Sequence, residues 1–404
     1  MKHTATHSEA CSRRHFLKTG ATGLAAASLI PMEAIAGDKL SKLPLRRYGR
    51  TGLDISAMIG ATTWDNSLVP VAMKYGVNYW HKAQKWTDDT YPTALKNADR
   101  ESYYLEVVID RVGGRHRTGK IDEESHYQYV KDSLKKLSVG YYDVFKFHFG
   151  YHSVEDYKKN TGMVRAFERL KKEGLVKHLT ISQHHYNDIG GDMAYEIVDH
   201  LIDHSPYEAA QFFYNYGGHK EIDEVLAKAK KNDFGTIAMK SMRGVGRAGS
   251  DDRFKEIMKD PRFKGSSPAI ATVKWLMSNP NLTAAVVMMD NFQELEEDMG
   301  AAIEATMAMQ DKRMLQQLAA FNKGMTCLLC ADCVSKCPES IAMDDIFRYE
   351  RYAMDYHQLA HARRNYQALT KNGTACIACG DCVPACPADI DIVSKLKDVH
   401  ALLG

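Results

Sequence analysis

The sequence lacks the features that would place it in a membrane or on a nucleic acid. Outside the N-terminus it has no stretch of 18 apolar residues, so we expect no internal membrane span. It has no long basic run, and 53 Lys and Arg residues against 51 Asp and Glu residues leave a formal net charge of +2, so nucleic acid is not an expected partner. Hydrophobic residues make up 45% and charged residues 26% of the 404 positions, which is typical of a globular chain with a large core and a second small domain.

Cysteine is almost absent from the first 326 residues. Only Cys11 lies there, and the other eight of the nine cysteines lie between Cys327 and Cys386. A protein built on disulfides would spread its bridges through the fold. The confinement of cysteine to one short region therefore indicates local metal binding.

The cysteine region contains one motif twice. Each copy has the pattern C-x2-C-x2-C-x3-C-P, which is the spacing of bacterial two-cluster ferredoxins. Three closely spaced thiolates wrap one iron–sulfur cube, while the fourth is carried away by the proline and reaches the other cube. The spacing predicts two [4Fe–4S] clusters, one held by Cys327, Cys330, Cys333 and Cys386 and the other by Cys337, Cys376, Cys379 and Cys382.

Structural zinc and disulfides are the alternatives for these cysteines. Zinc sites commonly use two C-x2-C pairs, without a third cysteine and without the x3-C-P step. Disulfides would compete directly with the clusters for the same thiolates. Because the full motif occurs twice, iron–sulfur is the favoured interpretation. Charged and aromatic residues at helical spacing over 343–369 and 390–403 further predict a small α-helical ferredoxin-like domain over residues 319–404.

The N-terminus has the ordered features of an export signal. Residues 12–18 resemble a twin-arginine motif, and a weakly apolar stretch follows over about 20–35. Residues 34–36 form a small-x-small cleavage site, so residues 1–36 are predicted to be a signal peptide that carries Cys11 away. The alternative is an amphipathic or disordered tail with a chance Arg pair. The signal predicts passage through the Tat translocase, after cluster insertion, to the periplasm or another exported location.

The middle of the chain, residues 43–318, alternates short apolar runs with amphipathic stretches. That alternation is typical of parallel strands joined by crossover helices, and eight strands in this length predict a (β/α)8 TIM barrel of the α/β class. The predicted helices include 126–137, 163–173 and 221–231. The predicted strands are 57–60, 78–80, 104–109, 143–147, 176–181, 209–213, 236–239 and 284–287.

Several of these segments together resemble the aldo/keto reductase superfamily. Residues 45–53 look like its opening hairpin, and residues 76–80 resemble its second-strand motif. Further matches are 137–148, 172–182, 211–215 and 267–269. Members with a ferredoxin-like C-terminal extension form a recognisable branch, and this chain resembles that branch.

The resemblance implies carbonyl reduction with NADPH by four residues, an Asp, a Tyr, a Lys and a His. In this sequence the Asp position falls on His81, the Tyr position on Trp86 and the Lys position on about Val108, while the His is retained as His148. An indole has no acidic proton to donate, so the family's ordinary mechanism is not expected here. A shifted alignment in that loop would bring Tyr91 to the site.

Nucleotide binding is likewise an open expectation. By resemblance, the candidate cofactor-binding residues are Ser182, Gln211, Tyr214, Asn215 and Arg243, but residues 287–294 lack the basic residue that some members use for the 2′-phosphate. A G-x-G-x-x-G pattern spans 244–249 without the βαβ context of a dinucleotide fingerprint. It is either a phosphate-loop neighbour or a plain surface loop.

Polar and mostly basic residues follow the predicted strands, where this fold carries its functional groups. One interpretation is an anion pocket in which Lys82, Arg111 and Lys240 hold a carboxylate or phosphate, and His148 or His81 moves a proton. The other is a metal site of His81, His148 and either His184 or His185. We favour the anion pocket, because no H-x3-H or carboxylate ligand motif is present.

These observations predict an exported iron–sulfur oxidoreductase of aldo/keto reductase type. Electrons would pass between two clusters and a small substrate, which the anion-pocket interpretation makes anionic. The catalytic candidates are His148, His81 and Lys82, and a redox partner protein or electron carrier is expected outside. One alternative is an NAD(P)H-dependent carbonyl reductase with an altered catalytic set. Another is a non-enzymatic electron-transfer or ligand-binding protein.

Overall fold

A computed structural model describes residues 41–60, 65–82, 94–95, 97–112, 119–184, 192–218, 220–356 and 358–404. The predicted signal peptide lies outside these residues, as do Trp86, Tyr91 and His185, and only the backbone of Lys82 is described. The chain divides into two compact units. The barrel unit comprises 39–241 and 269–308, and the cysteine unit includes 242–268 and 309–404. The domain limits inferred from the sequence remain predictions.

Eight parallel strands form the barrel, as predicted. An antiparallel hairpin, β1 (Leu45–Arg47) and β2 (Asp54–Ser56), precedes them. The sheet runs in the order β3-β10-β9-β8-β7-β6-β5-β4, and a parallel bridge between Gly60 and Trp80 links its two edges. The strands are β3 (Met58–Ile59), β4 (Tyr79–Lys82), β5 (Tyr104–Ile109), β6 (Tyr142–Phe147), β7 (Val176–Ser182), β8 (Ala209–Phe213), β9 (Gly235–Met239) and β10 (Ala284–Val286).

The helices occur where apolar residues recur at helical spacing. Several begin at side-chain caps, such as Asp122 accepting from Ser125 N and Asn291 accepting from Glu294 N. In the barrel unit they are α1 (Leu68–Lys74), α2 (Glu123–Leu137), α3 (Val154–Lys159), α4 (Gly162–Lys172), α5 (Ala194–His204), α6 (Glu221–Lys231), α9 (Pro268–Ser278) and α10 (Phe292–Glu304). In the cysteine unit they are α7 (Val245–Ser250), α8 (Asp252–Met258), α11 (Met309–Asn322), α12 (Met343–Met354), α13 (Leu359–Gln367) and α14 (Ile392–Leu403). None of the helices in the described part of the chain has the length and apolar character needed to cross a membrane.

The opening hairpin closes the N-terminal end of the barrel. Tyr48 is fully buried in an apolar core with, among others, Ile55, Val144 and Ile237. Gly49 has a φ of +56°, and a Cβ there would lie 2.0 Å from the backbone nitrogen of Gly235. Because packing fills this end of the barrel, we expect a ligand to enter at the C-terminal ends of the strands.

Candidate active site and iron–sulfur cavities

A charged cluster lies inside the barrel on three neighbouring strands. β4 carries His81, β5 carries Glu106 and β6 carries Lys146, and the strand register sets His81 beside Glu106. Lys146 Nζ donates to Glu106 Oε1 at 2.7 Å, and the same carboxylate bonds to His81 Nδ1 and to the hydroxyl of Tyr79. All four side chains are buried. The charge of Glu106 is therefore matched within the protein rather than by water.

The surroundings fix the protonation of this cluster. Burial raises the pKa of Glu106, but Lys146 and His81 outweigh it and bring that pKa to about 2. Burial lowers the pKa of Lys146, and Glu106 opposes that shift. Burial, followed by the charge of Lys146, lowers the pKa of His81. At neutral pH Glu106 is thus a carboxylate beside a neutral imidazole, and two acceptors, Glu106 and Gln211, stabilise the ammonium form of Lys146.

Neutral His81 has one ring nitrogen to spare. Because Nδ1 faces the carboxylate of Glu106 and donates its hydrogen there, Nε2 carries the lone pair. Nε2 is buried and has no hydrogen-bond partner among the described residues. An imidazole oriented by a carboxylate, with its second nitrogen free, can accept a proton from a bound molecule.

His148, the main predicted catalytic residue, follows β6 directly. Its Nδ1 lies 2.7 Å from Oδ1 of Asp110, which follows β5. About 27% of the His148 side chain and 35% of the Asp110 side chain is exposed. The carboxylate can hold the imidazole in one tautomer and leave Nε2 for a ligand, as in other carboxylate–histidine pairs.

The chain turns sharply after His148. Phe149 and Gly150 have φ values of +62° and +71°, and a non-glycine residue in this region costs on the order of 1–3 kcal/mol. The Phe149 ring centre lies 4.0 Å from that of His148 and 4.5 Å from that of His184. A Cβ at Gly150 would lie 2.0 Å from Oε1 of Gln183, so glycine is needed there. This turn holds the two imidazoles against one aromatic ring.

His184 adds to the basic character of this end of the barrel. Its ring centre is 5.1 Å from that of His148, and its Nε2 lies 3.2 Å from Oγ of Ser182. Lys240 follows β9 with a φ of +54°, and its Nζ lies 3.4 Å from His184 Nδ1 and 4.3 Å from the centre of the Phe213 ring. Two imidazoles and an ammonium group suit this region to an anion.

Arg111 does not belong to the predicted anion pocket. Its guanidinium donates to Oδ2 of Asp156 at 2.8 Å and to the carbonyl oxygen of Gly150 at 3.0 Å, and the residue is buried. The carboxylate neutralises its charge, so it braces the loop after β6 instead. Of the predicted pocket, the structure describes the side chain of Lys240 but not that of Lys82.

The alternative site of three imidazoles on one metal ion is not formed by the described residues. No group of three or more His, Cys, Asp or Glu side chains in the described ranges is placed to hold a single metal ion. The Nδ1 atoms of His81 and His148 each face a carboxylate, which suits proton transfer. His185 lies outside the described residues.

Most residues predicted to bind a nucleotide are engaged within the barrel unit. Oε1 of Gln211 accepts from Lys146 at 2.5 Å, and Ser182 contacts His184. Asn215 is buried, and its Oδ1 has no partner among the described residues.

Tyr214, whose contact with a nucleotide remains a prediction, is packed within the barrel unit. Its ring is stacked on Trp275 of α9, with ring centres 4.6 Å apart and planes at 24°. Its hydroxyl donates to Oδ1 of Asp223 at 2.7 Å and accepts from Nδ2 of Asn279 at 2.8 Å. One ring face and the hydroxyl are therefore used in packing and are not open to a nicotinamide ring.

The lysine of the barrel comes from a different strand than the family's pattern implies. Val108, at the family's Lys position, is the cross-strand neighbour of Lys146. Sequence reasoning missed Lys146 and Glu106, although each is a charged residue within an apolar strand. Lys146 also precedes His148 by two residues, and alternate residues of a strand share a face. That spacing was the signal that could have placed both in the barrel interior.

The eight cysteines line two cavities of the cysteine unit. Cys327, Cys330, Cys333 and Cys386 line one cavity, which we call the inner cavity. Cys337, Cys376, Cys379 and Cys382 line another, which we call the outer cavity. These are the two sets of four predicted from the x3-C-P step. Four cysteines around one space are the ligand set of an iron–sulfur cube.

The two cysteine loops repeat one backbone conformation. Leu329 and Ala378 have φ values of +59° and +56° at matching positions, and Ala331 and Gly380 have +65° and +83°. Left-handed residues at alternate positions bend the loop so that backbone N–H groups turn toward one side, as in known anion and iron–sulfur sites. Leu329 N, for example, donates to Sγ of Cys327 at 3.2 Å.

The two cavities differ in exposure. Cys327, Cys330 and Cys333 are all buried, whereas Cys379 in the outer cavity is exposed. Burial raises the pKa of Cys327 to about 12 and that of Cys382 to about 11, so both thiols are protonated before a cluster binds. Cluster assembly must release these protons, because only thiolates ligate iron.

The G-x-G-x-x-G pattern serves packing. Gly244 has a φ of +68°, and a Cβ there would lie 1.9 Å from Oδ1 of Asn322 on α11. A Cβ on Gly246 would lie 3.1 Å from the carbonyl oxygen of Asp355. These glycines let α7 approach its neighbours in the cysteine unit. Arg243, predicted to bind a nucleotide, instead donates to the carbonyl oxygen of Thr326 in the same unit.

Comparisons with known proteins agree with this architecture. Residues 65–319 match the aldo/keto reductase family, and residues 326–391 match the 4Fe-4S dicluster domain. Similar solved structures include a putative aldo-keto reductase from Pseudomonas aeruginosa, with 18% identity, a TM-score of 0.50 and coverage of 66% of this chain and 97% of that one. Another is the aldo-keto reductase AKR11C1 from Bacillus halodurans in its holo form, with 15% identity, a TM-score of 0.52 and coverage of 68% and 96%. At these identities the likeness shows the fold alone.

A curated relative is the uncharacterized oxidoreductase YqkF of Bacillus subtilis (strain 168). It is 27% identical over 150 residues, which are 34% of this chain and 48% of the relative. This chain thus matches about half the length of that protein. The family match spans more than half of the chain and coincides with the eight-stranded barrel. The chain belongs to the aldo/keto reductase family, and its C-terminal region matches a 4Fe-4S dicluster domain.

Proposed function

We propose that this protein is an exported oxidoreductase that passes electrons between two [4Fe–4S] clusters and a small anionic substrate at the open end of the barrel. The observation that carries the proposal is the pair of four-cysteine cavities, one buried and one reaching the surface at Cys379. Each cluster, when bound, stores and supplies one electron.

The exposed thiol of Cys379 favours the outer cavity as the side for electron exchange with a redox partner protein or electron carrier. Ile377, in the same loop, is 61% exposed and offers an apolar contact beside it. The buried inner cavity is shielded from such a partner. The order of exchange is then partner, outer cluster, inner cluster and substrate, in either direction.

The barrel supplies the proton chemistry. Reduction of a carbonyl group to an alcohol takes two electrons and two protons, and the reverse reaction releases the same number. His148, oriented by Asp110, and His81, oriented by Glu106, are two imidazoles that can each move one proton. Lys240 beside His184 would hold an anionic part of the substrate. This arrangement needs neither the missing Tyr nor a nucleotide.

The cluster content is tested first. Oxygen-protected holoprotein should contain about eight iron atoms per chain and show two reducible clusters by EPR, as expected of two four-iron clusters. Colourless, iron-free material would contradict the proposal. Titration with NADPH tests the alternative carbonyl reductase, and a fluorescence change with protection from unfolding would favour that alternative.

The role of the barrel is tested by turnover of small carbonyl and carboxylate compounds with an artificial electron donor or acceptor. His148→Gln should lower turnover by about 10²–10⁴-fold while both EPR signals remain. His204→Gln, on α5, is the matched control and should leave turnover unchanged. Unchanged turnover in His148→Gln would show that His148 has no part in the mechanism. If no compound turns over while the clusters still cycle, the protein is an electron-transfer or ligand-binding protein.

Export is proposed from residues 12–18 and 34–36, which resemble a twin-arginine signal with its cleavage site. In a Tat-competent bacterium the mature protein should begin after Ala36 and be found outside the cytoplasm. Replacing both Arg13 and Arg14 by Lys should leave the uncleaved precursor in the cytoplasm. Export that is unaffected by this change would contradict this part of the proposal.

A further inference from the structure

A buried cation lies beside the inner cavity. Arg243 is only 8% exposed, and its guanidinium donates one hydrogen bond, to the carbonyl oxygen of Thr326. Its Nε is also buried and has no hydrogen-bond partner among the described residues. A buried N–H group without an acceptor is costly, which points to an acceptor that the protein chain itself does not provide.

The charge of Arg243 lies close to the inner cavity. Cys327, Cys330 and Cys386 are near enough to Arg243 for their charges to act on it, and its guanidinium also bonds to the residue that precedes Cys327. A guanidinium is charged at neutral pH, so three of the four sulfur ligands lie close to a fixed positive charge. Neither cavity has an Arg or Lys among its lining residues, and the charged lining residue is Asp344 in the inner cavity and Glu339 in the outer one, so Arg243 acts on the inner cavity from outside its lining.

A second buried cation strengthens the need for an anion here. Arg351 is 2% exposed, and its charge is near enough to act on both Arg243 and Cys327. Arg351 has a carboxylate partner, Asp355, at 3.2 Å, whereas Arg243 has none among the described residues. Asp344 also lines the inner cavity, but Arg348 lies 3.5 Å from its carboxylate and offsets that charge. A cube held by four thiolates is an anion with sulfur acceptors, and it would satisfy Arg243 in both respects.

The surrounding residues hold Arg243 in place. Nδ2 of Asn322 donates to the carbonyl oxygen of Arg243 at 3.4 Å, and its Oδ1 accepts from the hydroxyl of Thr326 at 2.7 Å. Gly244 makes room for the Asn322 side chain. The same asparagine therefore links the backbone of Arg243 to the residue that precedes Cys327, so the cation and the first cysteine are positioned together.

We propose that Arg243 donates its Nε–H to a sulfur of the inner cluster and raises the reduction potential of that cluster. A nearby positive charge and an N–H···S bond both stabilise the more negative, reduced form of an iron–sulfur cluster. The inference rests on the proposed presence of two clusters. Arg243 is a positioning and tuning residue and takes no part in the bond changes at the substrate.

The test is an EPR-monitored redox titration of the oxygen-protected full-length holoprotein. At a fixed applied potential, Arg243→Gln should lower the ratio of reduced to oxidised inner cluster about tenfold. For one electron this equals a decrease of about 59 mV in the midpoint potential. The outer cluster should keep its potential. Cys379→Ser, which changes a ligand of the outer cavity, identifies which of the two signals belongs to the outer cluster. Arg243→Lys keeps the charge but loses the Nε–H and should give a smaller decrease.

Arg247→Gln is the matched control. Arg247 lies one turn further along the chain and pairs with Glu350, which Lys395 also contacts at 2.8 Å, so its loss leaves Glu350 paired. This variant should leave both potentials unchanged. Two intact clusters with unchanged potentials in Arg243→Gln would overturn the inference while the proposed function stands. If Arg243→Gln fails to bind iron, an unchanged inner potential in Arg243→Lys would overturn it equally.

Discussion

Lys146 and Glu106 form an ion pair inside the barrel, with Nζ 2.7 Å from Oε1 and side-chain exposures of 2% and 0%. The pair stands beside His81, at the position where other family members are expected to carry an aspartate. A lysine has thus been retained near the reactive end of the barrel, but on the strand next to the expected one. Its partner is a glutamate from the strand between Lys146 and His81.

Removing the carboxylate of this pair should destabilise the barrel strongly. Glu106→Gln leaves the ammonium of Lys146 buried without a counter-charge, which costs about 3–5 kcal/mol. Thermal unfolding of oxygen-protected protein, followed by circular dichroism, measures the loss. In the double variant with Lys146→Met, much of the stability should return, because neither charge is then buried. Glu123→Gln breaks exposed pairs with Arg165 and Arg169 and should cost far less, because water screens those charges. A Glu106→Gln protein as stable as Glu123→Gln would refute this account.

Acid sensitivity should depend on His126. Burial lowers the pKa of this residue to about 4 in the folded protein, from 6.5, and its Nε2 accepts from the backbone N–H of Asp122. Between these two values the unfolded chain binds a proton that the folded chain does not, so stability falls as the pH decreases from 6.5 to 4. The full difference is about 3 kcal/mol.

His126→Asn keeps an acceptor without a titrating group and should flatten the dependence of the melting temperature on pH over this window. The unaltered protein and a His204→Gln variant should both retain it. Equal slopes in the His126→Asn and unaltered proteins would contradict the role of His126.

The crossed arrangement of the cysteines predicts which cluster each variant loses. Cys337→Ala should destroy the outer cluster, although Cys337 belongs by sequence to the first motif, and Cys386→Ala should destroy the inner one. Iron content should fall from about eight to about four atoms per chain in each variant. The two remaining EPR signals should differ, and only the Cys386→Ala protein should retain the signal affected by Cys379→Ser. If Cys337→Ala, and not Cys386→Ala, retained the signal affected by Cys379→Ser, each motif would hold its own cluster and the crossed ligation would be wrong.

Substitution of Gly244, which precedes α7, and of Gly249, within α7, should change stability in opposite directions. Gly244→Ala places a Cβ against Asn322 in a left-handed conformation and should destabilise the cysteine unit by about 1–3 kcal/mol. Gly249→Ala meets no atom within 4 Å and should be neutral or stabilising by up to about 1 kcal/mol, since alanine favours the helix. Chemical unfolding of the oxygen-protected protein measures both. Equal effects would show that the pattern has no packing role.

Much of the barrel was accessible from the sequence because its signals are local. Each of the eight predicted strands is present within a few residues of its expected position, and the helix predicted over 221–231 matches α6 at both ends. The period of apolar residues depends on a few neighbouring positions. The retention of His148 and the replacement of Asp by His81 could be read in the same way, since both lie within short motifs.

The chemistry of the barrel interior was less accessible. Arg111 and Tyr214 were expected to face ligands, yet each is engaged by residues far along the chain, Asp156 for the former and Trp275 for the latter. Arg243 was assigned to a nucleotide and lies instead beside cysteines more than 80 residues away. No local pattern specifies which of many polar groups will meet such a side chain.

The sequence by itself determined the order of strands and helices and the spacing of the cysteines, because these depend on chain geometry over a few residues. Only the tertiary structure decided that Glu106 neutralises Lys146, that His81 keeps a free nitrogen, and that a buried arginine stands beside the inner cavity. Those relationships arise when the barrel closes and the helices pack. Water is then removed from groups that must satisfy one another across long stretches of chain.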